Sequence, residues 1–109
     1  MLIVIAALSG ALAVAAGAFG AHGASGEAAE WLKTGAMYQV VHAVAALAVM
    51  DRAGSNVPAG LFLGGGGLFA MTLYAMALGA PRWFGAITPI GGVLLILGWL
   101  WLAASTLKG

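Results

Sequence analysis

Seven charged side chains stand so far apart that they cut this chain into four long uncharged runs. Glu27, Glu30, Lys33, Asp51, Arg52, Arg82 and Lys108 leave Met1–Gly26, Thr34–Met50, Ala53–Pro81 and Trp83–Leu107 without a charge, lengths of 26, 17, 29 and 25 residues. A bilayer core about 30 Å thick needs about 20 apolar residues in a helix rising about 1.5 Å per residue. The four runs therefore predict four spans. The second is short only because Glu30 and Lys33 fall in its first turns. Helices are expected near residues 2–21, 28–50, 58–78 and 88–107. Lipid offers the backbone no hydrogen bonds, so the alternatives are helices or a closed barrel. A barrel needs segments of about ten residues alternating apolar and polar, and these runs are continuous. The expected fold is all-α, an integral membrane four-helix bundle forming one transmembrane domain over residues 1–109.

Composition closes the other classes. Apolar residues make up 63% and charged residues 6%, against about 45–50% and about 25% in soluble domains. So few charges cannot cover a water-exposed surface, and so apolar a chain has no reason to stay disordered. A formal charge of +1 with scattered cations offers no basic stripe for nucleic acid. Without cysteine there is no disulfide, thiolate metal site or thiol nucleophile.

The breaks carry turn chemistry. Gly20, His22, Gly23, Ser25 and Gly26 form a first loop, and Gly54, Ser55 and Asn56 a second. Pro58 suits a first helical turn, where its missing N–H is harmless. Gly79 and Pro81 stop the third helix, and Thr88-Pro89 reads as an N-cap followed by a first helical position. Such short links make successive helices antiparallel neighbours. The first run ends in Ala16-Gly17-Ala18, which resembles a signal cleavage site, but the basic leading region is missing. It is read as a true span. The N-terminus, Arg52 and Lys108 share one membrane side and Lys33 and Arg82 the other, which slightly favours both termini in the cytoplasm. Trp31 and Trp83 read as interfacial anchors on one side, with Trp99 and Trp101 nearer the other.

Small residues suggest how the spans pack. Ala6, Gly10, Ala13, Gly17 and Gly20 form a stripe along helix one. Gly60, Gly64 and Gly67 recur on helix three, and Gly91, Gly92 and Gly98 on helix four. Such stripes let backbones approach where lipid removes the hydrophobic drive to associate. Packing within the chain is the expected use, while Gly60/Gly64 is the stripe that a second copy or partner could use. Gly64-Gly65-Gly66-Gly67 is no phosphate loop, since Leu68-Phe69-Ala70-Met71 follows it in place of Lys-Ser/Thr.

Polar groups inside spans are costly and are functional candidates by default. Thr34, Tyr38, Gln39 and His42 share an arc of about 140° on helix two, expected to face the bundle interior. Tyr38, Gln39 and His42 are the candidate intramembrane cluster, whose simplest role is an interhelical hydrogen-bond network reaching carbonyls or Thr72. Glu27, Glu30, Lys33 and Arg82 share one membrane side, where Arg82 could clamp the start of helix two or read a lipid headgroup. His22 lies at the loop and His42 about 20 Å deeper, so they cannot share a metal. Only a pair of His42 residues from two copies could. No catalytic constellation, metal site or cofactor is expected.

Several segments together resemble one known family. They are Gly17-Ala18-Phe19-Gly20-Ala21-His22-Gly23, Trp31-x-x-Thr34-Gly35-x-x-Tyr38-Gln39-x-x-His42, Leu68-Phe69-x-x-x-Leu73-Tyr74, and Ile87-Thr88-Pro89-Ile90-Gly91-Gly92 leading to Gly98-Trp99. The chain resembles the small membrane-protein family of unknown function 423, which holds the bacterial YgdD-like proteins and the animal transmembrane protein 256. The resemblance implies a four-span protein, in the inner membrane for a bacterial member, and no activity. One departure is Ala70-Met71-Thr72, where small Ser/Gly residues are frequent in the family. The expected function is a non-catalytic accessory, scaffold or lipid-associated structural protein, in contact with lipids, with itself or with another membrane subunit. The alternative is a homo-oligomeric transporter or channel built around the Tyr38/Gln39/His42 face.

Overall fold

The computed structural model describes residues 1–108, and side-chain surroundings through Leu107. Gly109 and the side chain of Lys108, one of the cations that favour cytoplasmic termini, lie outside the described residues. Four helices are present: α1 (Leu2–His22), α2 (Gly26–Val49), α3 (Asn56–Ala77) and α4 (Thr88–Lys108). Each is long and apolar enough to cross a membrane. Their boundaries fall within about two residues of the predicted ones. One element was not foreseen, a short 3-10 turn at Arg82–Ala86 that leads into α4.

Local chemistry explains the ends. The Gly23 amide donates to the Phe19 carbonyl at 2.7 Å and closes α1. Gly79 has a φ of +111°, a conformation that ends the run after α3 and disfavours any residue with a Cβ. Thr88 begins α4 as expected, but its hydroxyl does not cap the helix. It lies 2.6 Å from the Thr72 hydroxyl. That bond ties α4 to α3, which a bond to the helix's own amides would not do.

The helices pack in chain order. Paired contacts run in opposite numerical directions along each neighbouring pair, so the neighbours are antiparallel. The α-carbon of Gly17 faces Ala36 and that of Gly20 faces Leu32. Between α2 and α3, Gly35 meets Tyr74 while Gly66 meets His42. Between α3 and α4, Gly91 meets Phe69 and Gly98 meets Phe62. α1 also touches α3, whereas α4 packs mainly on α3 and the 3-10 turn. α2 and α3 therefore form the centre, and α1 and α4 flank it.

Two apolar clusters fill the core. Ala6, Ala43, Ala46, Val49, Ala59, Phe62 and Leu63 pack toward the second-loop end. Ala16, Leu32, Ala36, Ala70 and Tyr74 pack toward the first-loop end. The preponderance of alanine and glycine is the small-residue packing expected between helices in lipid. Among the described residues, Phe62 is the one large side chain that is completely buried. Bulky residues such as Leu8, Ile96 and Leu100 point outward. In water that would be an aggregation surface; in lipid it is the normal exterior.

Candidate functional site

The polar side chains of the spans sit between the two apolar clusters. Gln39 and His42, 3% and 6% exposed, lie on the inner face of α2. The remainder of the predicted arc does not. Tyr38 is 44% exposed and Thr34 is exposed. The buried face of α2 is centred near Gln39, because α1 and α3 press on it from both sides. At about 100° per residue, that puts Tyr38 on the rim and Thr34 outside.

Each of the buried polar residues Gln39, His42, Thr72 and Thr88 makes at least one hydrogen bond within the chain. The Tyr74 hydroxyl donates to Gln39 Oε1 at 2.7 Å, joining α3 to α2. Thr72 does not reach this pair. Its hydroxyl lies within hydrogen-bond distance of the Phe69 carbonyl at 2.9 Å and of the Thr88 hydroxyl at 2.6 Å. His42 Nδ1 lies 2.7 Å from the Tyr38 carbonyl, and Trp99 Nε1–H donates to His42 Nε2 at 3.0 Å. The indole nitrogen is only a donor. Nε2 must therefore be the acceptor, and Nδ1 carries the proton that goes to the Tyr38 carbonyl. This is a neutral imidazole with both nitrogens engaged, so a metal would have to displace Trp99. Among the described residues, no buried side-chain nitrogen or oxygen lacks a hydrogen-bond partner.

Trp99 is the residue that sequence reasoning misplaced. It is not simply an interfacial anchor. Its ring packs 4.6 Å from Phe62 and edge-on at 5.8 Å from His42. Gly98 lets it come so close, since a Cβ there would stand 2.8 Å from the Phe62 ring. Only the pairing of α3 with α4 brings residues 42 and 99 together.

The glycines divide into two groups. Gly17, Gly91 and Gly98 face neighbouring helices at close range. Gly10, Gly60 and Gly64 face nothing within 4 Å, so they do not serve packing within the chain. Gly35 and Gly65, outside the expected stripes, are close-contact positions. Gly65 is the α3 counterpart of Gly91, 2.9 Å from its carbonyl as measured from an added Cβ.

At the first-loop end, Arg82 pairs with Glu27. Its guanidinium also lies over the Trp31 ring, 5.5 Å from the centroid. Glu30 and Lys33 are exposed and form no ion pair among the described residues. The clamp thus uses Glu27 and not Glu30. Both partners are largely exposed, so the pair is worth no more than about 1 kcal/mol. A double-mutant cycle of Arg82→Gln with Glu27→Gln should give a coupling of about 0.2–1 kcal/mol that shrinks as salt rises. A coupling indistinguishable from zero at low salt would show that the pair does not hold the 3-10 turn to α2.

Residues 16–92 match the family described as a protein of unknown function, DUF423. The chain belongs to this family. DUF423 relatives align across almost all of it. A UPF0382 membrane protein of Haemophilus influenzae is 40% identical, covering 94% of this chain and 90% of its own. Another from Staphylococcus epidermidis is 40% identical over 97% of this chain and 94% of its own. The UPF0382 inner membrane protein YgdD of Escherichia coli K12 is 34% identical over 98% and 89%. No solved structure matches the chain. The DUF423 assignment and the four spans make this a multi-pass membrane protein.

Proposed function

We propose that the chain is a non-catalytic accessory or lipid-associated structural protein of the cytoplasmic membrane, with both termini in the cytoplasm. The observation that carries this reading is the closed polar layer. Gln39 Oε1, both His42 nitrogens and the Thr72 and Thr88 hydroxyls are engaged by Tyr74, Trp99, backbone carbonyls and one another. A transport pathway or a catalytic centre keeps polar groups available to a solute, and intramembrane polar residues free for that purpose line a cavity or pair across one. Here they join α2 to α3, α3 to α4 and α2 to α4, and the lipid-facing surface between the two ends is mostly apolar.

Native mass spectrometry of the protein, extracted gently from its own membrane, tests the reading. The expected result is the chain alone or in a mixed complex with another membrane subunit. A discrete homo-oligomer that supports solute flux in proteoliposomes, with the flux altered by His42→Ala, would overturn it.

A further inference from the structure

Because α4 packs along α3 and meets α2 mainly where Trp99 reaches His42, a lateral groove of about 380 Å³ remains between α2 and α4. We infer that this groove holds one acyl chain of a membrane glycerolipid, taken from the leaflet on the Arg82 side, with the lipid's ester carbonyl on the Tyr38 hydroxyl. The inference deepens the lipid-associated reading above and rests on it.

The groove has the size of a ligand cleft, for which about 300 Å³ is the lower end of the usual range. Its walls are Tyr38, Phe69, Gly92, Ile96 and Trp99, with His42 at its back. None of these carries a charge, and both His42 nitrogens are already engaged. An ion or polar solute would lose its hydration without compensation. A hydrocarbon chain loses nothing and gains contact with flat aromatic walls. The groove opens sideways, so it continues the surface that already faces lipid.

Its direction selects the leaflet. Gly92 and Trp99 lie four and eleven residues beyond Thr88, or about 6 and 17 Å down the axis of α4. The groove therefore runs from near the Arg82 interface toward the bilayer centre, as an acyl chain does. Tyr38 stands at its upper rim, and among the described residues its hydroxyl has no hydrogen-bond partner. Side chains of an α-helix lean toward its N-terminus, which for α2 is the same interface. Gly92 keeps the wall open, since a Cβ there would meet only the Phe69 ring at 3.9 Å.

The test uses a phosphatidylcholine carrying a mid-chain diazirine, in mixed phosphatidylethanolamine–phosphatidylglycerol vesicles, with labelled residues mapped by peptide sequencing. Labels should concentrate on Phe69 and on the segment from Gly92 to Trp99. Gly92→Leu should lower that labelling about tenfold, the equivalent of one decade in affinity. Labelling of the outward residues Leu8 and Val14 should stay unchanged. Tyr38→Phe, which removes only the hydroxyl, should lower it about fivefold. If Gly92→Leu does not fold, Ile96→Trp fills the same groove from its outer edge and should have the same effect. Labels spread evenly over all outward faces, or unmoved by both plugs, would overturn the inference. So would a homodimer that excludes the label and dissociates on plugging, since a second copy would then occupy the groove. The label map can fail while the native mass spectrum still shows a non-transporting accessory protein, so the two readings are separable.

Discussion

Replacing Gly91 by alanine is expected to be the most damaging single-methyl change in this protein. An added Cβ at Gly91 would stand 2.6 Å from the Phe69 amide nitrogen, 2.8 Å from the Gly65 carbonyl oxygen and 2.9 Å from the Phe69 α-carbon. All three are backbone atoms of α3, which no rotamer change can move away. The two helices must separate along the seam, and the Thr72–Thr88 and His42–Trp99 hydrogen bonds lie on either side of that point. Overpacking of this kind costs about 1–3 kcal/mol and occasionally more. The upper end of that range is expected here, because α3 is by far the main neighbour of α4. Gly92→Ala is the matched control. It adds the same methyl group one residue away, where the nearest atom is 3.9 Å off. The control should be neutral, or stabilising by a few tenths of a kcal/mol through helix propensity. Unfolding in mixed micelles with increasing dodecyl sulfate, followed by circular dichroism, would compare the two. Equal midpoints for Gly91→Ala and Gly92→Ala would contradict the close α3–α4 seam.

The second large effect is expected at His42. His42→Ala removes a buried ring that touches Phe62 and Trp99 and leaves the Trp99 N–H without its acceptor. Large-to-small changes in a core cost about 2–5 kcal/mol. The lower half of that range applies, because the groove beside His42 lets lipid fill part of the space. The hydrogen bond itself contributes less. Double-mutant cycles between helices in membranes average about 0.6 kcal/mol, with a maximum of about 1.7. A cycle of His42→Ala with Trp99→Phe should therefore show a coupling of about 0.6–1.7 kcal/mol. Additive effects would mean that Trp99 is held by packing on Phe62 alone. Tyr74→Phe, remote from this pair, should add independently to His42→Ala.

The ends of the helices were legible in the sequence because they depend on local chemistry. Charges mark where the lipid stops, and Gly23, Gly79, Pro58 and Pro89 mark where a helix cannot continue or readily begins. The 3-10 turn was not legible, since Arg82–Ala86 has neither a distinctive cap nor enough length to carry a pattern. The candidate site was half legible. Four polar residues on α2 pointed to a special face, but only Gln39 and His42 are inside. Their partners Tyr74 and Trp99 are 35 and 57 residues away, and nothing in the local pattern names them. Arg82 had two acids within reach on paper, and only Glu27 stands beneath it.

The sequence by itself determined the solvent, the number of spans, the antiparallel order and the positions of the breaks. These follow from charge spacing and turn residues, which act over a few positions. The tertiary structure alone decided which side of each helix faces inward. In water an apolar stripe would announce that side. In lipid the outward face is as apolar as the inward one, so the stripe vanishes, and the choice passes to close approach between backbones. That is why Gly91 and Gly65 meet while Gly60 and Gly64 face outward, and why Trp99 lies against His42 rather than serving only as an anchor at the membrane surface.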